Sequence, residues 1–272
     1  MPSLPTKIYH YFLEAYRTRL LEKREWRHER KFIWNYLYEL KRKQIRPVEN
    51  YTETDNSILH NLHRGNRCVI VGSAPSINDL PLERISEDYI FLLNNTYLIK
   101  DRFGKIPDAW VLGDPAAYND YAKHYDPSTF RDVFLSSNIP ADWTGDNIHR
   151  YSYFQFPAIY DGFCQFDLTK PLYQAHTVAL FACQIAVAMG FKEIVLIGID
   201  LSFSPEQPHF YQSSSRERDW ARTISIQRRE KMLSGFKIFA ELAKEQGVKI
   251  VNASPMKGIQ DVENRDFATF FQ

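Results

Sequence analysis

A short apolar run followed by glycine and small hydroxylic residues is the stretch of this sequence best suited to binding a ligand. The run Cys68–Val71 is apolar, and Gly72–Ser76 continues it as Gly-Ser-Ala-Pro-Ser. A central strand of a parallel sheet has this appearance, because both of its faces are covered and the usual alternation disappears. The loop after such a strand lies at the carboxyl edge of the sheet, where ligands of open α/β sheets bind.

Four residues of this turn are predicted to contact a nucleotide. Ser73 and Ser76 offer hydroxyl groups, and the backbone amides of Gly72 and Ala74 would face a phosphate if a helical turn begins at Pro75. An ordinary junction between a strand and a loop is the alternative, because the complete Gly-x-Gly-x-x-Gly fingerprint is absent.

Polar residues also end the other predicted strands. Each is an amide or a carboxylic acid, and the set consists of Asn94, Asn95, Asp114, Asp200 and Asn252. A single Asn or Asp after a strand is more often a turn former or a helix cap than a ligand contact. Because the carboxyl ends of parallel strands meet at one edge, the set as a whole predicts a polar site there.

A parallel sheet is needed to bring these residues together, and the sequence predicts one. Strand-like runs with their polar ends cover 68–76, 89–95, 109–115, 130–136, 192–200 and 248–252, and helical patterns cover 96–103, 177–189 and about 216–246. This alternation predicts an α/β fold with a Rossmann-like, mostly parallel sheet and helices on both faces. Residues 140–171 are rich in aromatic residues, Pro, Gly and Asp without a clear period, and we interpret them as an irregular, lid-like insertion.

Length and cysteine content favour one large catalytic domain inside the cell. The chain has 272 residues, enough for a substantial core, and its three cysteines show no metal-ligand spacing. Two of them lie in apolar runs, as expected for free thiols in a reducing compartment. No run approaches the roughly 20 apolar residues of a membrane span, and the N-terminus lacks the apolar core of a secretory signal. These features predict a cytoplasmic protein.

Charge is concentrated at the N-terminus. Residues 1–46 carry 12 Lys/Arg and 5 Glu, together with many aromatic residues, whereas the remainder carries 22 basic and 28 acidic residues. We interpret 1–46 as a basic helical extension, 47–65 as a linker and 66–272 as the catalytic domain. A basic, aromatic helix suits an anionic membrane surface, such as the inner face of the cell membrane. The alternative is a helical element that packs on the domain or on a second copy in a homo-oligomer. Nucleic acid is not expected as a partner, since the body is acidic and no groove-reading motif is present.

Several short motifs, in this order and spacing, carry a resemblance to two related families. They are Gly72–Ile77, Asn94, Pro107–Asp108, Gly113–Pro115, Thr177 before an alanine-rich helix, Gly190–Ile194 and Gly198–Asp200. This set resembles the bacterial sialyltransferases of glycosyltransferase family 42. It also resembles the family that contains the motility-associated factor glycosyltransferases and the archaeal 6-hydroxymethylpterin diphosphokinases.

The sialyltransferase resemblance implies a nucleotide-binding fold that uses a CMP-activated acidic sugar, such as a sialic acid-like nonulosonate, and no required metal or other cofactor. The acceptor would be a bacterial cell-surface glycan or glycolipid. The donor-binding positions of that family correspond to Ser73, Ser76, Asn94 and Thr177. Ser73 stands where that family has asparagine, Ala74 where it has glycine, and Asp114 where it has a donor-binding asparagine.

The second family suggests a different reaction. Asp114 at a strand end fits an ATP- and Mg²⁺-dependent diphosphokinase, since Mg²⁺ prefers one or two carboxylates plus phosphate oxygens. A non-catalytic nucleotide-binding protein is a third alternative, because the catalytic histidine of the sialyltransferases has no counterpart at its expected place after Asp200.

Two histidines are candidates for the general base of a glycosyltransferase. Histidine suits this role because its ordinary pKa is about 6.5. His176 precedes the apolar helix, whose positive end favours a neutral imidazole. His209 lies in a loop that is expected to overhang the carboxyl edge of the sheet, with Tyr211 as a phosphate contact. We predict His209 as the base, with His176 as second choice and Asp114 or Asp200 next.

Deleting residues 1–46 should leave a folded core that still binds nucleotide, because the charge asymmetry and Pro47 place the segment outside the catalytic domain. Solubility, circular dichroism and a nucleotide thermal shift would measure this, and an insoluble product would contradict it. Flotation of the full chain with neutral and anionic liposomes at two salt concentrations separates membrane binding from oligomerisation, since salt screens the attraction over about 8–10 Å.

Overall fold

The computed structural model describes residues 55–85, 87–154, 164–173, 176–201, 204, 206–256, 258–259 and 262–272. These residues belong to one unit that extends from Asn50 to Gln272. The predicted extension 1–46 and the first part of the predicted linker lie outside the described residues.

Eight parallel strands form the central sheet. Their bounds are β1 Arg67–Val71, β2 Tyr89–Leu93, β3 Ala109–Leu112, β4 Asp132–Ser136, β5 Ile148–Tyr151, β8 Glu193–Ile197, β9 Lys249–Asn252 and β10 Glu263–Asn264. The order is β10-β9-β8-β1-β2-β3-β4-β5, and each of these pairings is parallel. Two further strands, β6 Tyr153–Phe154 and β7 Leu172–Tyr173, form a separate parallel pair. The predicted α/β fold with a mostly parallel sheet is confirmed.

The sequence of strand β1 is a continuous apolar run because its side chains are buried on both faces of the sheet. Cys68 and Ile70 belong to the core on one face of the sheet, whereas Val69 and Val71 belong to the core on the other face. All four side chains are fully buried. Because both faces of the central strands are covered, no polar position is left to alternate with the apolar ones.

Different elements cover the two faces of the sheet. Helices α2 Val178–Ala188 and α3 Ser215–Glu245 pack on the first face. The short helix α1 Pro115–Tyr121 contacts the core of the second face through Tyr118. In the described residues, the second face is covered mainly by 3-10 helices at 75–79, 82–85 and 94–102. The C-terminal α4 Phe267–Phe270 completes this second layer. Helical elements therefore lie on both faces, but the second layer is built from short turns.

Part of the predicted linker 47–65 is packed structure. Asn56–Leu59 forms a 3-10 helix, and Leu59 is buried in the core. The amides of Asn61 and His63 donate to the carbonyls of Ala188 and Met189, at 3.0 and 2.8 Å. Residues 56–65 therefore close the end of α2 and belong to the domain.

The segment predicted as an irregular insertion, 140–171, also contains regular structure. Strand β5 pairs with β4 at the edge of the main sheet, against the prediction for residues 148–151. His149 makes this strand look polar in sequence, but its Nε2 lies 2.8 Å from Oδ1 of Asp132 in a buried pair. Of the rest of the segment, 155–163 lies outside the described residues.

Among the described residues, no helix has the length and apolar character required to cross a bilayer.

The two central strands β1 and β8 come unusually close where they end. The amide of Gly72 donates to the carbonyl of Ile197 at 2.8 Å, one residue beyond the paired strands. A Cβ on Gly72 would lie 2.3 Å from the carbonyl oxygen of Gly198, and a Cβ on Gly198 would lie 2.2 Å from Cγ2 of Ile77. Gly198 also has a φ of +63°, which side chains rarely adopt. Both positions therefore require glycine.

Replacing Gly198 by Ala should destabilise the fold more than the same change at Gly65. Gly65 also has a positive φ, +87°, but a Cβ there meets nothing within 4 Å. The comparison isolates the steric overlap, which we expect to cost about 1–3 kcal/mol beyond the backbone strain. Equal losses in the free energy of unfolding, measured by denaturant titration, would show that the close approach does not constrain the sheet.

Candidate functional site

A cavity of about 560 Å³ opens at the carboxyl edge of the sheet, above the ends of β1, β2, β3 and β8. The chain passes from β1 to β2 on one side, while β8 pairs with β1 on the other, so the cavity lies at the point where the strand order reverses. Ser76 and Asn252 do not line it, and the side chain of Asn252 is bonded to Asn264 and to the amide of Ser254 instead. The other predicted site residues do line it, and they are Gly72, Ser73, Ala74, Asn94, Asn95, Asp114, His176, Thr177, Asp200, His209 and Tyr211.

The turn after β1 differs from the predicted phosphate cradle. The amides of Gly72 and Ala74 donate to the carbonyls of Ile197 and Gly198, at 2.8 and 3.0 Å. A 3-10 helix of five residues begins at Pro75 in place of an α-helix. The prediction that these two amides bind an anion is therefore wrong, because the approach of β8 occupies them. Both residues still form the floor of the cavity.

Ser76 does not line the cavity, but its side chain is hydrogen-bonded to Asp200, which does. Its Oγ donates to Oδ1 of Asp200 at 2.8 Å. Asp200 is only 2% exposed, and no donor in the described part of the chain reaches its Oδ2. Burial raises the pKa of Asp200, and the Ser76 hydrogen bond opposes this rise. The cavity is therefore lined by a buried carboxyl group, one oxygen of which has no hydrogen-bond partner among the described residues.

His209 is held over the cavity from two sides. Its Nδ1 lies 2.9 Å from Oγ of Ser73, and its ring stacks on Tyr211 with centroids 5.0 Å apart and an interplanar angle of 11°. Nε2 lies 3.9 Å from Oε1 of Glu217. Burial lowers the pKa of His209, while the negative charges of Glu217 and Asp114 oppose this. The result is an ordered imidazole at the rim of the site.

Tyr211 belongs to a polar network that connects the loop to β2 and α3. Its hydroxyl accepts from Nδ2 of Asn95 at 2.8 Å and donates to Oε1 of Glu217 at 2.7 Å. The hydroxyl of Tyr125 donates to Oδ1 of Asn95. Burial is the main cause that raises the pKa of Tyr211, and the hydrogen bond to Glu217 adds to it. The phenol is therefore a neutral group whose hydrogen-bonding positions are already occupied.

Asn94 and Asp114 have structural contacts in addition to their place in the cavity wall. Asn94 adopts a φ of +45°, and its Oδ1 accepts from the amide of Gly113 at 3.0 Å. Oδ1 of Asp114 accepts from the amide of Ala116 at 2.8 Å and caps α1. Asn94 thus links the ends of β2 and β3, whereas Asp114 caps the helix that follows β3, two structural roles that are common for Asn and Asp after strands.

His176 and Thr177 line another part of the cavity, at the start of α2. Thr177 is the N-cap, with its Oγ1 accepting from the amide of Ala179 at 3.3 Å. His176 adopts a φ of +62°. Burial lowers the pKa of His176, and the positive charges of Lys231 and Arg228 lower it further. A neutral imidazole is therefore favoured at His176 as well.

Several cavity residues were not predicted from the sequence. The most buried of them with a charge is Glu217, and the others with polar or aromatic side chains are Asn138, Tyr153, Phe181, Arg216, Trp220 and Arg228. Glu217 follows Ser214 in a Ser-x-x-Glu capping box at the start of α3, a signal that the sequence contains. The signal marks the helix start, but it does not indicate that the glutamate faces a cavity.

In the described part of the chain, no group of three or more His, Cys, Asp or Glu side chains is arranged to hold a metal ion.

The fold and the cavity define a Rossmann-like α/β protein with a ligand site at the reversal of strand order. The chain belongs to the 6-hydroxymethylpterin diphosphokinase MptE-like family, whose model matches residues 45–206. No curated protein sequence gives a match.

Two solved structures are similar to this one. The first is the sialyltransferase CstII from Campylobacter jejuni in complex with cytidine-5'-monophosphate, with 16% identity and a TM-score of 0.47 over 75% of this chain and 86% of that chain. The second is the MAf glycosyltransferase from Magnetospirillum magneticum AMB-1, with 17% identity and a TM-score of 0.47 over 78% of this chain. The present chain corresponds to 37% of the length of that glycosyltransferase.

The buried Asp200 should make the stability of the protein depend on pH. Because the pKa of Asp200 is raised above 3.8 in the folded protein, the folded state binds this proton more tightly than the unfolded state. The free energy of unfolding should therefore fall as the pH rises from 3.8 through the folded-state pKa. Asp200→Asn removes this titration, so the variant should lose less stability than the wild type over that range.

Denaturant unfolding from about pH 4 to pH 7 measures the difference. Asp79→Asn, an exposed acid that follows the same turn, is the matched control and should follow the wild type. Parallel pH curves for the wild type and Asp200→Asn would contradict the raised pKa.

Proposed function

We propose that this protein is a glycosyltransferase that moves an acidic sugar from a CMP-activated donor to a glycan or glycolipid acceptor, with His209 as the general base. The observation that carries the proposal is the position of His209, whose imidazole is anchored by Ser73 and stacked on Tyr211 at the rim of the cavity. At about 560 Å³ the cavity lies within the usual range for small-molecule sites.

His209 would take the proton from the acceptor. An acceptor hydroxyl that attacks the anomeric carbon of the donor loses its proton as the new glycosidic bond forms and the bond to the nucleotide phosphate breaks. A ring that donates from Nδ1 to Oγ of Ser73 leaves the lone pair of Nε2 to accept this proton. Burial lowers the pKa of His209, which favours the neutral imidazole that a base requires.

The donor would lie above the ends of β1 and β8. Oδ2 of Asp200 is buried and no donor among the described residues reaches it, so a small movement of this side chain would let it accept a hydrogen bond from a donor group of the nucleotide, such as a ribose hydroxyl. Ser73, Asn94 and Thr177, which carry the resemblance to the sialyltransferases, line this same cavity. A phosphate contact by Tyr211 would have to replace its bond to Glu217. Ser76 would then affect donor binding indirectly, through its hydrogen bond to Asp200.

Diphosphoryl transfer is the second candidate, and the family description favours it. This reaction implies Mg²⁺, for which Asp114 and Asp200 are the strand-end carboxylates that line the cavity. The pair fits Mg²⁺ poorly, because burial raises the pKa of Asp200 and Oδ1 of Asp114 is engaged by the amide of Ala116. We therefore derive no step through the metal.

The remaining features of the proposal follow from the sequence. A membrane-associated acceptor would be reached from the cytoplasm, with the basic segment 1–46 on the anionic inner face of the membrane. Packing of this segment in a homo-oligomer is the alternative.

A thermal-shift series with CMP, CDP, UDP, ADP and ATP, with and without Mg²⁺, tests the class of nucleotide. A ligand at a hundredfold excess over its Kd stabilises the folded state by about 2.7 kcal/mol. We expect CMP to raise the Tm without Mg²⁺, whereas a response to ATP that requires Mg²⁺ would favour the diphosphokinase.

Turnover with the responding nucleotide sugar tests the base. His209→Ala should lower kcat by about 100- to 10,000-fold, the usual contribution of a general base. His124→Ala, an exposed histidine outside the cavity, is the control and should retain wild-type turnover. If His209→Ala also turns over normally at saturating substrates, the assignment is lost, and His176 becomes the histidine to examine.

A further inference from the structure

Glu217 makes more contacts than the start of a helix requires. As the third residue of α3, it completes a capping box in which its Oε2 accepts from the amide of Ser214 at 2.7 Å. The same oxygen accepts from the hydroxyl of Tyr121 at 3.1 Å, and Oε1 accepts from Tyr211 at 2.7 Å. A capping box needs only the first of these bonds.

These bonds join three parts of the cavity wall. Tyr121 is the last residue of α1, Tyr211 lies in the loop that carries His209, and Asn95 follows β2 and donates to Tyr211. Glu217 is 8% exposed, so this carboxylate is held in a largely dry environment with its oxygens occupied by donors. Such a carboxylate is well suited to hold a fixed position.

The carboxylate also faces the imidazole of His209. Oε1 of Glu217, which holds Tyr211, lies 3.9 Å from Nε2 of His209. The His209 ring is stacked on that same tyrosine. The other ionisable side chains that line the cavity are Asp114, Tyr153, His176, Asp200, Tyr211, Arg216 and Arg228. Of these, Arg216 is paired with Asp120 at 2.7 Å.

We propose that Glu217 is the positioning residue of this site: its carboxylate fixes the Tyr211 ring under His209 and supplies the negative charge that stabilises the imidazolium once His209 has taken a proton. Its role in turnover rests on the proposed function, whereas its effect on His209 does not. A negative charge at this distance favours the protonated imidazole, as an acid does in other His-acid pairs. Without it, burial alone would make His209 a weaker base.

Glu217→Gln separates the charge from the cap. Glutamine also serves in a capping box, so the helix start is retained while the negative charge is removed. We expect the imidazole of His209 in the full-length, ligand-free protein to titrate at a lower pH in this variant. Histidine side-chain NMR measures the midpoint, with the resonance assigned by its loss in His209→Ala.

Two control variants separate the local effect of the Glu217 charge from a general change in charge and from loss of the helix cap. Glu241→Gln removes the same charge from an exposed position on the same helix and should leave the midpoint unchanged. Ser214→Ala removes the hydroxyl that accepts from the amide of Glu217 at 3.2 Å but keeps the carboxylate. This variant should also titrate like the wild type. An unchanged midpoint in Glu217→Gln, or an equal shift in Ser214→Ala, would overturn the proposal.

Kinetics then distinguishes this inference from the proposed function. If the protein is a glycosyltransferase, Glu217→Gln should move the acidic limb of the pH–rate profile to lower pH and reduce kcat with little change in the KM for the donor. A shifted NMR midpoint without turnover on any nucleotide sugar would remove the proposed function and leave the pairing of Glu217 with His209 intact. Wild-type kcat and an unshifted profile, with turnover present, would contradict the role of Glu217 in the reaction.

Discussion

The central strands β1 and β8 meet at two glycines, and the position of the site depends on this contact. Gly72 and Gly198 approach so closely that a Cβ on either would overlap the other residue's backbone. Because neither glycine has a side chain, the two strand ends can approach each other this closely before the chain turns away. A cavity remains beyond them, at the reversal of strand order. The wall of that cavity includes Ser73, one residue after Gly72, and Asp200, two residues after Gly198.

Because of this close approach, the amides of the turn are not available to a ligand. Gly72 and Ala74 donate to carbonyls of the neighbouring strand, so polar contacts in the cavity come mainly from side chains. Those side chains are held by one another across the sequence. Ser73 contacts His209, Ser76 contacts Asp200, and Asn95 contacts Tyr211. A site built in this way is ordered before a ligand arrives, which lowers the entropic cost of binding.

Burial and hydrogen bonds reduce the free negative charge that the acids present to the cavity. Burial raises the pKa of Asp200 and favours its neutral form. Asp114 faces the amide of Ala116 at the start of α1, and Glu217 accepts from two tyrosine hydroxyls and one amide. The anionic donor that we propose would therefore meet less negative charge than the number of acids in the cavity implies.

The sequence alone determined the elements whose patterns are local. Apolar runs predicted the central strands β1, β2, β3, β4, β8 and β9, because a strand covered on both faces has no polar positions. The helices α2 and α3 followed from their composition and caps. Asp114-Pro115 is also a local signal, an N-cap followed by proline, and it marks the start of α1. By contrast, β5 contains His149 and Arg150, which look exposed until a buried partner such as Asp132 is known.

Tertiary structure decided which groups of the site face the ligand and which face each other. Polar residues at strand ends predicted an edge with a site, but the loss of the turn amides depends on how near β8 comes to β1. Ser73 and His209 are 136 residues apart, and Tyr121 and Glu217 are 96 apart. A hydrogen bond forms within about 3 Å, whereas sequence patterns place an element only to within a few residues. Contacts of this kind are therefore set by the packing of β1, β2, α1 and α3 around the cavity, which no local pattern records.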